Sequence, residues 1–124
     1  MKRSKTAIAE REAAFLRDIL VEGKDVQDFT KGMNLEIFSS DRLVRKAVTK
    51  CLESIAEATK NLTPALKARH PSIACKQVAA FRDFSAHHYG QIDYGIVWDI
   101  VAGHLPQLLA AVDAELAKVA KPKP

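Results

Sequence analysis

The longest run of helical periodicity constrains this chain more than any other feature. Between Ser40 and Leu62 the apolar residues Val44, Val48, Cys51, Leu52, Ile55 and Leu62 recur mostly three and four positions apart. That spacing draws one apolar stripe along an α-helix of roughly twenty residues, with polar side chains on its other faces. A helix with a single apolar stripe is stable only when the stripe is covered, so the rest of the chain must supply packing partners. Ser39 or Ser40 is placed to cap this helix, and Asp41 in its first turn suits the positive end of the helix dipole.

The remaining sequence supplies such partners. From Thr6 to Leu20, Ile8, Phe15, Leu16, Ile19 and Leu20 repeat at helical spacing, and Gly23 is expected to end that helix. Residues 25–34 read ambiguously, with one short helix between Asp28 and Gly32 as an option. Thr63-Pro64 is a cap followed by a first-turn proline, opening a short helix that ends near His70. Pro71-Ser72 starts another, which Ile73, Val78, Phe81 and Phe84 carry to at least Ala86 before Gly90 breaks it. Asp93 caps a helix holding Ile96, Val97, Trp98, Ile100 and Val101 that Gly103 should stop. Leu105-Pro106 opens the last, with Leu108, Leu109, Val112 and Leu116 inward. Only five glycines and five prolines are present, too few for the turns of an all-β fold. The expected architecture is all-α: an up-and-down bundle of about five helices. One domain over residues 1–124 is expected, with its core at about 6–118 and residues 119–124 as a flexible tail.

Bulk properties narrow the function classes. Apolar residues make up 48% and charged residues 27%, ordinary for a globular chain and unlike a disordered one. No apolar run is long enough to span a membrane, and Met1-Lys2-Arg3-Ser4-Lys5 leads into charged helix rather than an apolar signal core. A cytoplasmic protein with no membrane contact is expected. The net charge of +4 leans toward a polyanion such as RNA without deciding the matter. Cys51 and Cys75 lack CxxC spacing and read as buried free thiols, and no histidine or carboxylate pair has metal-ligand spacing, so no cofactor or metal is expected.

One cluster does not fit a solvated helix face. Arg82, Asp83, Ser85, His87, His88 and Tyr89 gather where a helix meets Gly90. They combine a guanidinium whose fork matches two phosphate oxygens, imidazoles that move protons near neutral pH, and a phenol. Cleavage of RNA needs a base to take the ribose 2′-OH proton and a cation to hold the phosphate as charge builds. Geometry adds a condition. Five residues on an ideal helix rotate by about 500°, leaving Arg82 and His87 about 140° apart. Either the helix ends before His87 and re-aims it, or a second chain completes the site.

Arg82, four residues, His87, one residue and Tyr89 form the signature of HEPN-superfamily ribonucleases, and the chain around it resembles the HepT toxin branch. The resemblance runs from roughly Phe15 to Leu116. It includes Leu52-Glu53-Ser54-Ile55-Ala56-Glu57-Ala58, Leu66-Lys67-Ala68-Arg69-His70-Pro71, Phe81-Arg82-Asp83, His87-His88-Tyr89-Gly90, Ile96-Val97-Trp98-Asp99-Ile100-Val101 and Leu105-Pro106. It implies a HEPN-like helical homodimer, alone or in a larger hetero-complex, whose two motifs face a shared cleft and cut RNA without metal. By the same resemblance Arg82 binds phosphate and stabilises charge, His87 is the general base, and Asp83 orients. Tyr89 is then the residue to which a cognate minimal nucleotidyltransferase antitoxin transfers AMP, placing anions in the cleft. Ala56 stands where relatives commonly carry Gly, and His88 adds a second imidazole beside the motif histidine.

Plainer readings stand beside these. His88 reads as a surface or supporting residue, His70 and His104 as helix-end residues, and Trp98 as a core or interface aromatic. Arg42, Lys46 and Lys50 form either a basic strip toward RNA or a solvated face. The functional expectation is the endoribonuclease of a toxin–antitoxin pair. The alternative is a non-catalytic helical scaffold, or a nucleotide-binding subunit, for a nucleotidyltransferase.

Overall fold

The computed structural model describes residues 5–71, 73 and 92–120. Among them the ordered elements are helices, and no strand occurs: α1 (Lys5–Phe29), α2 (Leu35–Ser40), α3 (Arg42–Lys60), α4 (Pro64–Arg69), α5 (Tyr94–Asp99), a π-turn (Ile100–His104) and α6 (Leu105–Ala120). The all-α expectation holds.

Helix α1 buries Ala13, Leu16, Ile19, Gly23 and Val26, a stripe at three- and four-residue spacing that faces α3 and α6. Gly23 does not end the helix, contrary to expectation. A Cβ at this position would lie 2.4 Å from Leu109 Cδ2 on α6, so the glycine permits close approach of two helices rather than a stop. The helix ends six residues later. Thr30 turns its hydroxyl and its amide onto the Val26 carbonyl, at 2.8 and 3.0 Å, and Gly32 takes a φ of 77° to turn the chain. Asp28 therefore belongs to the end of α1 and no separate helix spans Asp28 to Gly32.

Asn34 caps α2, accepting the Ile37 amide at 2.9 Å, and Phe38 is the one buried residue of that short helix. Ser39 and Ser40 lie within α2. The cap of α3 is Asp41, whose carboxylate accepts the Val44 amide at 3.0 Å. The long stripe read from the sequence is buried as expected: Val48, Cys51, Leu52, Ile55 and, just beyond the helix, Leu62. Ala56 is buried in the same face, consistent with a packing role. Full burial of a Leu or Ile side chain contributes about 1.5–3 kcal/mol, so this stripe supplies a large share of the stability.

Side-chain pairs fix the direction of packing. Glu12 Oε2 accepts the Thr63 amide at 2.6 Å, while the Cys51 thiol meets Glu22, so α3 runs antiparallel to α1. Gly23 meets Leu109 and the Glu12 end of α1 meets the Arg69–Glu115 pair, so α6 is antiparallel to α1 as well. Thr63 caps α4 and Pro64 fills its first turn, as the sequence indicates.

Asp93 caps α5 by accepting the Gly95 and Ile96 amides at 2.9 and 3.3 Å, also as expected. Gly103 does not stop the helix that follows. The chain passes through the π-turn, where the Leu105 amide reaches back to the Ile100 carbonyl, and continues directly into α6. Pro106 has no amide hydrogen and its ring crowds the preceding turn, and one widened turn just upstream is a way to carry it inside a continuous helix. Gly103 itself is exposed, with open space where a Cβ would stand. Leu16, Ile19, Phe38, Leu52, Ile55, Ile100, Leu105 and Val112 form one core that joins all the longer helices.

Candidate functional site

The sequence places its candidate site on Arg82, Asp83, His87, His88 and Tyr89. All five lie outside the described residues, as do Cys75 and nearly all of the helix expected from Pro71-Ser72 to Ala86. What the fold determines is how the chain enters residues 74–91 and how it leaves them.

The chain enters from a clamp built on Glu115. This side chain is 6% exposed, yet its carboxylate receives Arg69 Nε at 3.1 Å, His70 Nε2 at 2.7 Å and Lys118 Nζ at 3.3 Å. Arg69 Nη2 adds a second, longer bond at 3.4 Å. An ionised carboxylate only accepts, so His70 donates through Nε2. The Arg69 guanidinium is the largest influence holding the Glu115 carboxyl down to about 2; burial opposes it, and His70 and Lys118 add to it. His70 ends α4, as its position before Pro71 suggested, and its carbonyl accepts the Ile73 amide at 2.9 Å. Ile73 is fully buried. Two carboxylates thus grip α4: Glu12 at the Thr63 cap and Glu115 at the far end.

Where the chain leaves the segment, a different set of contacts holds it. Ile92 packs against the core and Asp93 caps α5. Tyr94 lies under the Arg45 guanidinium, 4.8 Å from ring centroid to Cζ, and meets Phe38 edge-on at 6.3 Å. Arg45 Nη1 donates to the Ser39 carbonyl at 2.8 Å, joining α2, α3 and α5 at this point. Trp98 stacks at a tilt on Phe38 with centroids 5.2 Å apart, and it is half-buried. The core reading of Trp98 fits this contact. His104 sits half-buried within the π-turn rather than at a helix cap.

Other sequence candidates resolve as follows. Cys51 is buried, and its thiol is pushed up to about 12, first by burial and then by the hydrogen bond to Glu22. A buried thiol held protonated at neutral pH is a poor nucleophile. Arg42, Lys46 and Lys50 are exposed on α3, but Lys50 lies in a groove of about 550 Å³ beside Asp18, Glu22 and Glu53. Those carboxylates interrupt any continuous basic strip there. Among the described residues no group of three or more His, Cys, Asp or Glu side chains is placed to hold a metal ion.

Sequence reasoning missed Glu12, Arg45 and Glu115. Their partners lie 51, 6 and 45–46 residues away, and only the Glu115–Lys118 spacing of three left any local signal.

Comparison with known proteins addresses what the site belongs to. A family model described as "Ribonuclease HepT-like" matches residues 19–115, a span that contains the whole of Arg82 to Tyr89. The protein "Putative RNase MJ0127" of Methanocaldococcus jannaschii is 41% identical over 100 residues, covering 81% of this chain and 83% of that one. "Probable ribonuclease HepT" of Thermococcus cleftensis is 33% identical over 94 residues, covering 76% and 86%. "Putative RNase TTE0752" of Caldanaerobacter subterraneus is 32% identical over 104 residues, covering 84% and 93%. No solved structure gives a significant match. With a helical fold, and with a family model covering most of the chain, this protein belongs to the HepT-like ribonuclease family.

Proposed function

We propose that the chain is a metal-independent endoribonuclease, the toxin of a toxin–antitoxin pair, acting through Arg82 and His87. The observation that carries this reading is the intact Arg82-x4-His87-x-Tyr89 set inside a family match to HepT-like ribonucleases. His87 takes the 2′-OH proton and the oxygen attacks the adjacent phosphorus; the P–O5′ bond breaks to leave a 2′,3′-cyclic phosphate, the departing 5′-oxygen takes a proton from solvent, and Arg82 holds the phosphate oxygens as negative charge builds. Asp83 orients the site and His88 stands beside it.

Two copies of the segment face each other across a homodimer cleft, which answers the 140° problem posed by an ideal helix. Tyr89 is the off-switch. A nucleotidyltransferase antitoxin transfers AMP from ATP to its phenol oxygen, with loss of the phenol proton and release of pyrophosphate, and the added phosphate repels substrate and occupies Arg82. Anchoring at both ends, by the Glu115 clamp before the segment and the Arg45–Tyr94 contact after it, suits a site that depends on fixed geometry.

The test is cleavage of a defined RNA by purified protein in EDTA, with Arg82→Ala and His87→Ala compared at equal folded concentration. Activity in the parent and its loss in both variants is the expected result; two variants as active as the parent place the site elsewhere. Co-expression with a neighbouring nucleotidyltransferase should add AMP mass to the Tyr89 peptide, and an unmodified peptide removes that mode of control.

A further inference from the structure

Helices α1 and α3 run antiparallel, and along one side their seam does not close. A groove of about 550 Å³ remains there, lined from α1 by Phe15, Asp18, Val21 and Glu22. From α3 it is lined by Lys50, Glu53, Ser54, Glu57 and Ala58, and by the cap residue Asn61. Each set recurs at spacings of three and four, so each forms one stripe along its helix. Lys50 and Asn61 are eleven residues apart, which makes the groove about 16 Å long, or about three helical turns.

The floor of the groove is apolar. Phe15 packs against the core, Ala58 is buried, and Val21 keeps 60% of its surface exposed. A single exposed valine on a helix is ordinary. One set in a groove beside Phe15 and Ala58 offers apolar surface that a partner can cover.

The rim is acidic. Asp18, Glu22, Glu53 and Glu57 stand against one cation, Lys50, among the described lining residues, in a chain whose net charge is +4. Arg17 and Lys46 are exposed on the same two helices but do not line the groove. The acids of the rim also differ in use from the others. Glu12, Asp41, Asp93 and Glu115 each hold an amide or a cation within the fold. Asp18 and Glu53 take part in no hydrogen bond or ion pair among the described residues, although Glu53 is half-buried. A carboxylate beside apolar surface gives up part of its hydration, and no bonded cation offsets that here.

We propose that this groove is a docking site for a helix of another protein, one whose aliphatic face is flanked by Lys and Arg. Its aliphatic side chains cover Phe15, Val21 and Ala58, and its cations meet Asp18, Glu22 and Glu53. Charge selects this occupant over the two nearest others. A second copy docking by the same face would set these acids against themselves, and an RNA strand would be repelled by them. The proposal uses none of the motif residues and is independent of the ribonuclease reading.

The experiment is selection from a displayed library of helix-forming peptides of about 14 residues, enough to span the groove, on the immobilised protein. Enriched peptides are then synthesised with a fluorophore and titrated by anisotropy against the parent, Val21→Arg, Asp18→Asn/Glu53→Gln and Gly103→Ala. All the changes fall at exposed or rim positions, and circular dichroism sets the concentration of folded protein. The enriched peptides should carry Lys or Arg beside an aliphatic stripe. Val21→Arg places a cation on the floor and should weaken binding about tenfold or more. The charge pair should weaken it about fivefold, by a margin that shrinks as salt rises. Gly103→Ala, at an open site on the other side of the fold's sequence, should bind as the parent does.

Selection that enriches no peptide overturns the proposal. So does enrichment of neutral or acidic peptides, or equal binding by the parent and Val21→Arg. A mass by light scattering that falls to the monomer in Val21→Arg assigns the groove to a second copy and overturns it as well. RNA cleavage should be the same in all these proteins, so this proposal and the nuclease reading fail separately.

Discussion

Replacing Glu115 by glutamine removes the charge at the centre of the α4 clamp while keeping its shape. The folded protein holds this carboxyl near 2, against the ordinary 4.5. By linkage that difference stabilises the fold by about 3 kcal/mol at neutral pH. Arg69 and Lys118 are half exposed, so water screens part of it, and about 2 kcal/mol is the working figure. For a domain of 124 residues this lowers Tm by about 8 °C. A carboxyl depressed by folding contributes stability that is present above its unfolded value and lost as pH falls through the folded one. The gap between parent and Glu115→Gln should therefore be full at pH 7, begin to close below about pH 5, and be more than half gone by about pH 3. Thermal melts by circular dichroism across that range read it directly. A gap that stays constant from pH 7 to pH 3, or no gap at pH 7, refutes the clamp as drawn here.

Gly23→Ala puts a methyl group into Leu109, and overpacking of about 1–3 kcal/mol outweighs the gain in helix propensity, leaving a loss near 1 kcal/mol in denaturant titrations. Gly103→Ala meets open space at an exposed site and should raise stability by about 0.5–1 kcal/mol, so equal effects at the two glycines would contradict the packing described. Arg45→Met loses the bond to the Ser39 carbonyl and the contact with Tyr94, and should cost about 1–2 kcal/mol by the same titration; a variant as stable as the parent would show that this contact contributes nothing. In a Cys75→Ser background, Cys51 should react with a disulfide reagent at pH 8 only on the timescale of unfolding, and rapid labelling of the native protein would contradict its burial.

The sequence carried different parts of this structure unequally. The α3 stripe and the Thr63-Pro64 and Asp93 caps were readable because each depends on neighbours within a few residues. Gly23 and Gly103 were misread for one reason: a glycine looks the same whether it ends a helix, admits a neighbour or sits in open space. What separates the cases is Leu109, far along the chain, and the continuous helix through the π-turn. Helix α2 left no periodic trace, since six residues with one buried side chain make no stripe. The α4 clamp escaped because its partners meet only in the folded bundle. The motif Arg82, His87 and Tyr89 was legible as chemistry and spacing and lies within the span of the family match, but its geometry lies outside the described residues.

The central claim is that His87 moves the proton in a cleavage reaction that needs no metal. Single-turnover cleavage of one RNA in excess EDTA, by the parent and by His87→Ala at matched folded concentration, tests it most directly. Loss of a positioned general base should slow the reaction by about 10²–10⁴-fold while the protein still binds RNA. A His87→Ala rate within about twofold of the parent, or a parent that is inactive in EDTA and restored by a divalent cation, contradicts the account.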